Sequence, residues 1–329
     1  MKKSIRQVLK LLLPIALGGF ILYWVYRDFD FARAWQTLAH GTRWGWLLFS
    51  LLFGILPQAI RGWRWRQLLE PLDAYPRRSN CVYAVFVSYA ASLLVPRLGE
   101  VSRCGILSRS DQVPFAKSLG TVVTERLVDM LTLGLVTLVT VLTQFPLFTT
   151  FLRQTGTKIP STLHLFTSVW FYIALLCVTG VLALLYSIRK TLFFYERVKG
   201  FALNLREGVL SLRHVPNIPL FVFYTVAIWG CYFLHFYLTF YCFGFSEGLG
   251  LTAALVMFVG GTFAIIVPTP NGAGPWHFAV ITMMMLYGVD AEDAGIFALI
   301  VHGVQTFLVV LLGVYGWAAL SPTKKINHL

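Results

Sequence analysis

"IIVPTPNGAGPWHFAV", residues 265–280, is the stretch on which the fold turns. An aliphatic run stops at Pro268 and Pro270, passes through Asn271, Gly272 and Gly274, and becomes apolar again after Trp276 and His277. Non-helical backbone at membrane depth is tolerated only where it is packed in protein or lines a wet cavity. Whether the chain crosses here or turns back therefore sets the topology on both sides of it. A kinked helix or an external loop is the competing reading of the same residues.

Composition places the chain in a bilayer. It is 57% hydrophobic and 12% charged over 329 residues, too apolar for an ordinary polar surface to cover a soluble core. Full-length apolar runs occupy Val8 to Tyr26, Trp44 to Ile60, Leu119 to Thr143, Leu163 to Ile188, Ile218 to Phe243 and Ile296 to Leu320, each near the roughly 18 residues that a crossing needs. Two further regions, 81–117 and 251–287, are apolar at both ends and interrupted by Pro and Gly. The first run follows Lys2, Lys3, Arg6 and Lys10, as a signal peptide would. It is long for one and lacks a small-x-small cleavage site, so it reads as a retained anchor. Cys81, Cys104, Cys177, Cys231 and Cys242 show no CxxC pair or ligand spacing, so they read as small apolar residues, with no disulfide framework and no metal site.

Charge chooses between crossing and returning, because short cytoplasmic loops collect Lys and Arg. The basic stretches are 2–10, 61–78, 189–213 and 324–325. If 81–117 dips in and returns, and 251–287 does the same, all four share one side. Seventeen Lys and Arg then lie inside against five outside, and the acidic turn of Asp290, Glu292 and Asp293 falls outside. The expected fold class is an all-α polytopic membrane protein: six full spans plus two broken re-entrant hairpins entering from opposite faces, in one domain over 1–329, with both termini cytoplasmic. The interruptions "SLLVPRLGE" from Ser92 and "FAIIVPTPNG" from Phe263 resemble each other. An inverted repeat with a midplane site gives that pattern, and so does chance.

Charges inside apolar regions cost free energy and commonly pair or line a pathway. In "PRLGEVSR", Pro96 to Arg103, Glu100 and Arg103 are i and i+3 and could pair on a helix. The planar fork of Arg97 or Arg103 suits phosphate, and a salt bridge at a helix boundary is the plainer alternative. In "TERLVD", Thr124 to Asp129, Glu125 and Asp129 share a face at i and i+4, and Arg126 reaches Asp129 at i+3. Two acids and one base leave a negative surplus unless Arg97 or Arg103 approaches, which predicts a buried network joining the first hairpin to this helix, functional or purely architectural. In "PTPNGAGPWH", Asn271, Gly272 and Gly274 can present donors to an anion. His277 is titratable there, and also a plain hydrogen-bonded residue beside Trp276. His302 and Gln305 are weaker candidates of the same type.

Trp and Tyr cluster at span ends, as in "RWGWLL" and "RGWRWRQ", which reads as interfacial belts. The net charge of +13 is largely accounted for by the basic loops, which favour anionic lipid and require no nucleic acid.

PRLGEVSR, then TERLVD, then a late P-x-P-x-G-x-G break resemble, in this order, the lysylphosphatidylglycerol synthase transmembrane (flippase-like) family, which includes the membrane half of bacterial multiple peptide resistance factors. The resemblance spans nearly the whole chain. It matches Pro96, Arg97, Gly99, Glu100 and Arg103 to the first motif, Glu125, Arg126 and Asp129 to the second, and Pro268, Pro270, Gly272 and Gly274 to the third. The chain departs from the family at Asn271, where Gly is usual, and at His277, where Glu is usual, which suggests a subgroup with another headgroup. It ends at Leu329, so the aminoacyl-transferase domain of bifunctional members is not expected, and no P-loop segment appears.

The resemblance implies a non-enzymatic, cofactor-free flippase-like transporter in a bacterial inner membrane, moving an anionic or phosphate-bearing phospholipid or lipid-linked glycan. Arg97 and Arg103 would contact phosphate, Glu125 and Asp129 would set the charge balance, and Asn271 to Gly274 would supply donors. Two other readings stay open: a subunit that presents lipid to a glycosyltransferase or other lipid-modifying enzyme, and an ion or solute transporter.

Overall fold

The computed structural model describes residues 2–96, 98–144, 203, 206 and 210–320. Every regular element among them is helical. The predicted span Leu163 to Ile188 and most of the basic stretch 189–213 lie outside the described residues.

Helix α1 (Lys2–Tyr26) is followed by α2 (Phe31–Gln36) and a π turn, and the two helical pieces bend by 93°. Asp30 caps α2, its Oδ1 accepting from the N–H groups of Ala32 and Arg33 at 2.8 and 3.0 Å, which satisfies two donors that a helix start leaves open.

Helix α3 (Trp44–Leu69) runs nine residues beyond the predicted end of the second span. Arg61 and Arg64 are therefore not part of a basic loop. They lie on the buried face of the helix, because carboxylates of another helix meet them there.

Helices α4 (Arg78–Leu94) and α5 (Leu98–Ser110) form the first hairpin, broken where Val95 turns extended before Pro96. The break follows from proline chemistry, since the residue before Pro is pushed out of the helical region. Its two arms return to one level: Asn80, near the start of α4, donates through Nδ2 to Asp111, just past the end of α5, at 2.9 Å. Near the tip the arms press together so closely that a Cβ on Gly99 would lie 1.9 Å from the Ser88 carbonyl oxygen.

Helix α6 (Phe115–Thr143) carries TERLVD. Beyond residue 210 come α7 (Ile218–Leu238), α8 (Gly250–Ala264), α9 (Pro275–Leu286) and α10 (Ala291–Ala319). The opening stretch is the tip of a second hairpin between α8 and α9, which run antiparallel, with Gly260 against Met283 and Gly261 against Trp276. Its backbone needs left-handed conformations at Asn271, Gly272 and Gly274, which Asn and Gly adopt at the least cost. At Gly274 an added Cβ would also strike the Gly18 carbonyl oxygen of α1, at 2.9 Å.

By length and composition, Trp44–Leu72, Phe115–Thr143, Ile218–Cys242, Glu247–Ala264 and Ala291–Ala319 can cross a membrane, with the bent α1–α2 pair as a sixth. The fourth of these contains α8, which the sequence had assigned to half a hairpin. Its partner α9 folds back beside it.

Contacts to carboxylates mark the two ends of the molecule. At one, Arg33 binds Glu292, and Asp293 at 2.7 Å, while Arg43 binds Glu247 at 2.7 Å. Both feet of the second hairpin stand there. Helix α3 leads from Arg43 to the other end, where the backbone N–H of Arg77 donates to Asp111 at 3.1 Å and both feet of the first hairpin stand. The two hairpins thus open toward opposite ends of the molecule. Each has its own core: Trp65, Cys81, Val85 and Leu107 around the first, and Phe236, Phe240, Met257 and Phe297 around the second.

Candidate functional site

Between these cores lies a buried ionic cluster. Asp129 is the fifteenth of the 29 residues of α6, about 21 Å along it at 1.5 Å per residue and so near mid-membrane. One Nη1 of Arg61 bridges Glu125 at 2.5 Å and Asp129 at 2.7 Å. Arg64 binds the other Asp129 oxygen at 2.8 Å and donates to the Thr225 hydroxyl at 3.1 Å. Arg103, on the first hairpin, holds Glu125 at 3.2 Å and lies over the Trp65 ring, 4.7 Å from its centroid. Arg126 pairs with Glu100 at 2.8 Å and approaches Asp129 at 3.5 Å. Charges taken out of water persist only with such partners. Among the described residues the cluster holds four guanidinium groups and three carboxylates, a surplus of one positive charge.

A cavity of about 410 Å³ adjoins the cluster, within the size range of small-ligand sites. Arg61, Arg126 and Asp129 form its charged end, and Asn271 and His302 line it near the tip of the second hairpin. Gln58, Tyr232 and His235 supply polar groups between them, and Phe236, Phe258 and Leu308 an apolar wall. Met130 of α6 and Ile266 of the hairpin tip also line it, yet are 68% and 59% exposed. The cavity therefore opens sideways between α6 and that tip, toward the apolar belt.

The buried network expected between the first hairpin and TERLVD is present, with different pairings. Glu100 does not take Arg103, its i+3 neighbour; each finds its partner on α6. Arg103 is 1% exposed, with both terminal nitrogens on Glu125, so it positions that carboxylate and is not a free phosphate contact. Arg97 lies outside the described residues. Arg103 does approach Glu125, as the charge balance of TERLVD required, and Arg61 and Arg64 join from α3 to leave the surplus positive.

The Asn271 to Gly274 turn also differs from expectation. The N–H groups of Gly272, Ala273 and Gly274 bond within the turn, to Thr269, to Pro270 and to the His277 Nδ1 respectively. Asn271 donates through Nδ2 to the Thr306 hydroxyl at 2.9 Å, and its carbonyl lies 3.1 Å from His302 Nε2. These donors hold the tip to α10. His277 is buried between Tyr26, Trp276 and His302, its ring 4.5 Å from that of His302.

Arg61, Arg64, Gln58 and His235 escaped the sequence reading. The first two were counted as loop charges, although Gln58, Arg61 and Arg64 continue the helical spacing of three from inside the apolar run, which was the available signal. A single polar residue in an apolar helix, as at His235, gives no comparable pattern.

The family model described as "Lysylphosphatidylglycerol synthase TM region" matches residues 11–313. No curated protein and no solved structure matches the chain.

Proposed function

The chain belongs to the lysylphosphatidylglycerol synthase TM region family, and on that premise we propose that it moves an anionic or phosphate-bearing lipid between the leaflets of a bacterial inner membrane. The observation that carries this reading is the cavity itself: its charged end bears a positive surplus, and its side opens toward the bilayer. A headgroup enters that end while its acyl chains stay in lipid. Arg61 and Arg126 face it, and Arg64, Arg103, Glu125 and Asp129 hold them in place. Guanidinium donors suit phosphate oxygens, and their attraction is strengthened where water is excluded. No bond is made or broken in this scheme, so the protein acts as a carrier and not as an enzyme. The excess of Lys and Arg at the foot of the first hairpin supports a cytoplasmic position for that end.

The test is leaflet movement of a headgroup-labelled anionic phospholipid in proteoliposomes. Movement above that of protein-free vesicles, lost in Arg126→Gln, supports the reading. Equal rates with and without protein overturn it.

A further inference from the structure

Five residues that line the cavity carry a buried polar atom with no hydrogen-bond partner among the described residues: Arg126 Nε, which lies 2.8 Å from a Glu100 oxygen in an ion pair, and Gln58 Oε1, Arg61 Nε, Trp229 Nε1 and His235 Nε2, which have no such contact. Gln58, Arg61 and His235 are 4%, 3% and 6% exposed. Leaving such atoms unpaired costs free energy, so four of them around one cavity point to a ligand that pairs with them.

Their chemistry describes that ligand. His235 Nδ1 lies 2.7 Å from the Ser50 carbonyl oxygen, which can only accept. The imidazole proton therefore sits on Nδ1, and Nε2 presents a lone pair. Gln58 donates through Nε2 to the Gly54 carbonyl at 3.3 Å, leaving its Oε1 as a second acceptor. Arg61 Nε and Trp229 Nε1 are donors. Two acceptors and two donors around one space are served together by hydroxyl groups, which do both.

Charge narrows the class further. Both oxygens of Asp129 are occupied, one by Arg61 and one by Arg64, and Glu125 and Glu100 are held by Arg103 and Arg126. Among the described residues of the cluster no carboxylate is left for an ammonium group, which would also sit near Arg61 in a medium of low dielectric. A single negative charge cancels the positive surplus of the cluster; a zwitterion does not.

We propose that this cavity selects a hydroxylated monoanionic headgroup, a phosphodiester bearing free hydroxyls such as glycerol or a sugar, with phosphate at Arg61 and Arg126 and hydroxyls at Gln58 and His235. The inference rests on the lipid-carrying reading of the same cavity and names its substrate class. Phosphate without hydroxyls leaves Gln58 and His235 unpaired, and a site built to hydrogen-bond a hydroxyl discriminates against analogues that lack it.

The experiment is native mass spectrometry of the full-length protein, titrated with phosphatidylglycerol, phosphatidic acid and phosphatidylethanolamine of identical acyl chains. Phosphatidylglycerol is expected to bind about tenfold more tightly than phosphatidylethanolamine and about fivefold more tightly than phosphatidic acid, the scale of one or two hydrogen bonds. Gln58→Leu should abolish the advantage over phosphatidic acid and keep the one over phosphatidylethanolamine. Gln58→Glu, adding a carboxylate one turn from Arg61, should shift preference toward phosphatidylethanolamine. Equal wild-type binding of all three lipids, or a Gln58→Leu protein with unchanged preference, overturns the proposal. So does displacement of bound lipid by free glycerol phosphate at comparable concentration. Selective binding without leaflet movement upholds this inference and overturns only the transport reading.

Discussion

Arg61 and Asp129, 68 positions apart, meet at 2.7 Å near the middle of α6. The contact joins α3 to α6 where the cavity meets the ionic cluster, so the same guanidinium group braces two helices and faces the ligand space. Structural and functional roles can be separated because Arg64 and Arg103 brace the cluster without lining the cavity.

Arg64 is fully buried and does not line the cavity. Asp129→Leu is expected to lower stability by about 3–5 kcal/mol, because it strands buried guanidinium groups. Adding Arg64→Met restores the charge count of the cluster and should recover a substantial part of the loss. A double-mutant cycle of thermal melts in detergent checks this; strictly additive losses would show that the two side chains are not coupled.

Arg126 faces the cavity with a side chain 40% exposed. Arg126→Gln should leave the melting temperature nearly unchanged, since a half-exposed pair contributes about 1 kcal/mol or less. Lipid movement should fall at least about tenfold, corresponding to the loss of one charge-assisted hydrogen bond of about 1.5–3 kcal/mol. Rates in proteoliposomes beside melts of the same preparation decide it, and a variant of full speed would remove Arg126 from the headgroup path.

Two glycines of α5 give an internal control. Gly99→Ala drives a methyl group into the Ser88 carbonyl and is expected to destabilise by about 3 kcal/mol or more, whereas Gly105 meets nothing within 4 Å. Gly105→Ala should be neutral or stabilising by about 0.5–1 kcal/mol through helix propensity. Comparable losses in both would mean that the arms of the first hairpin do not cross at Gly99.

Opposite entry of the hairpins is open to chemical labelling. Arg78→Cys and Arg109→Cys flank the first hairpin at exposed positions, as Gly248→Cys and Ala291→Cys flank the second. A membrane-impermeant maleimide applied to right-side-out vesicles should modify the second pair alone. The native Cys81, Cys104 and Cys242 are buried and contribute little background. Labelling one member of either pair without the other would show that segment to cross.

Much of this arrangement was legible in the sequence, and the failures share one cause. Prolines before glycines announced both hairpin tips, because these are local signals. The acids of TERLVD were recognisable as members of a buried ionic network from their depth in an apolar helix. The choice of partner was not, since Glu100 pairs across helices rather than with Arg103 at i+3. Arg61 and Arg64 were misread as loop charges because the rule that counts cytoplasmic Lys and Arg cannot tell a solvated guanidinium from one that waits for a carboxylate 64 or 65 residues later. The acceptors Gln58 and His235 emerge only once α3 and α7 are laid side by side.

The contact of Gly18 with the second hairpin's tip at Ala273 and Gly274 bears on how the protein is made. Helix α1 leaves the ribosome some 250 residues before the segment it packs against. During that interval its partner does not exist, and lipid must stand in for it. An apolar first helix can wait in this way; a polar one could not. Helix α1 is thus synthesised long before it can dock, and the second hairpin completes its packing by receiving a helix already in the membrane.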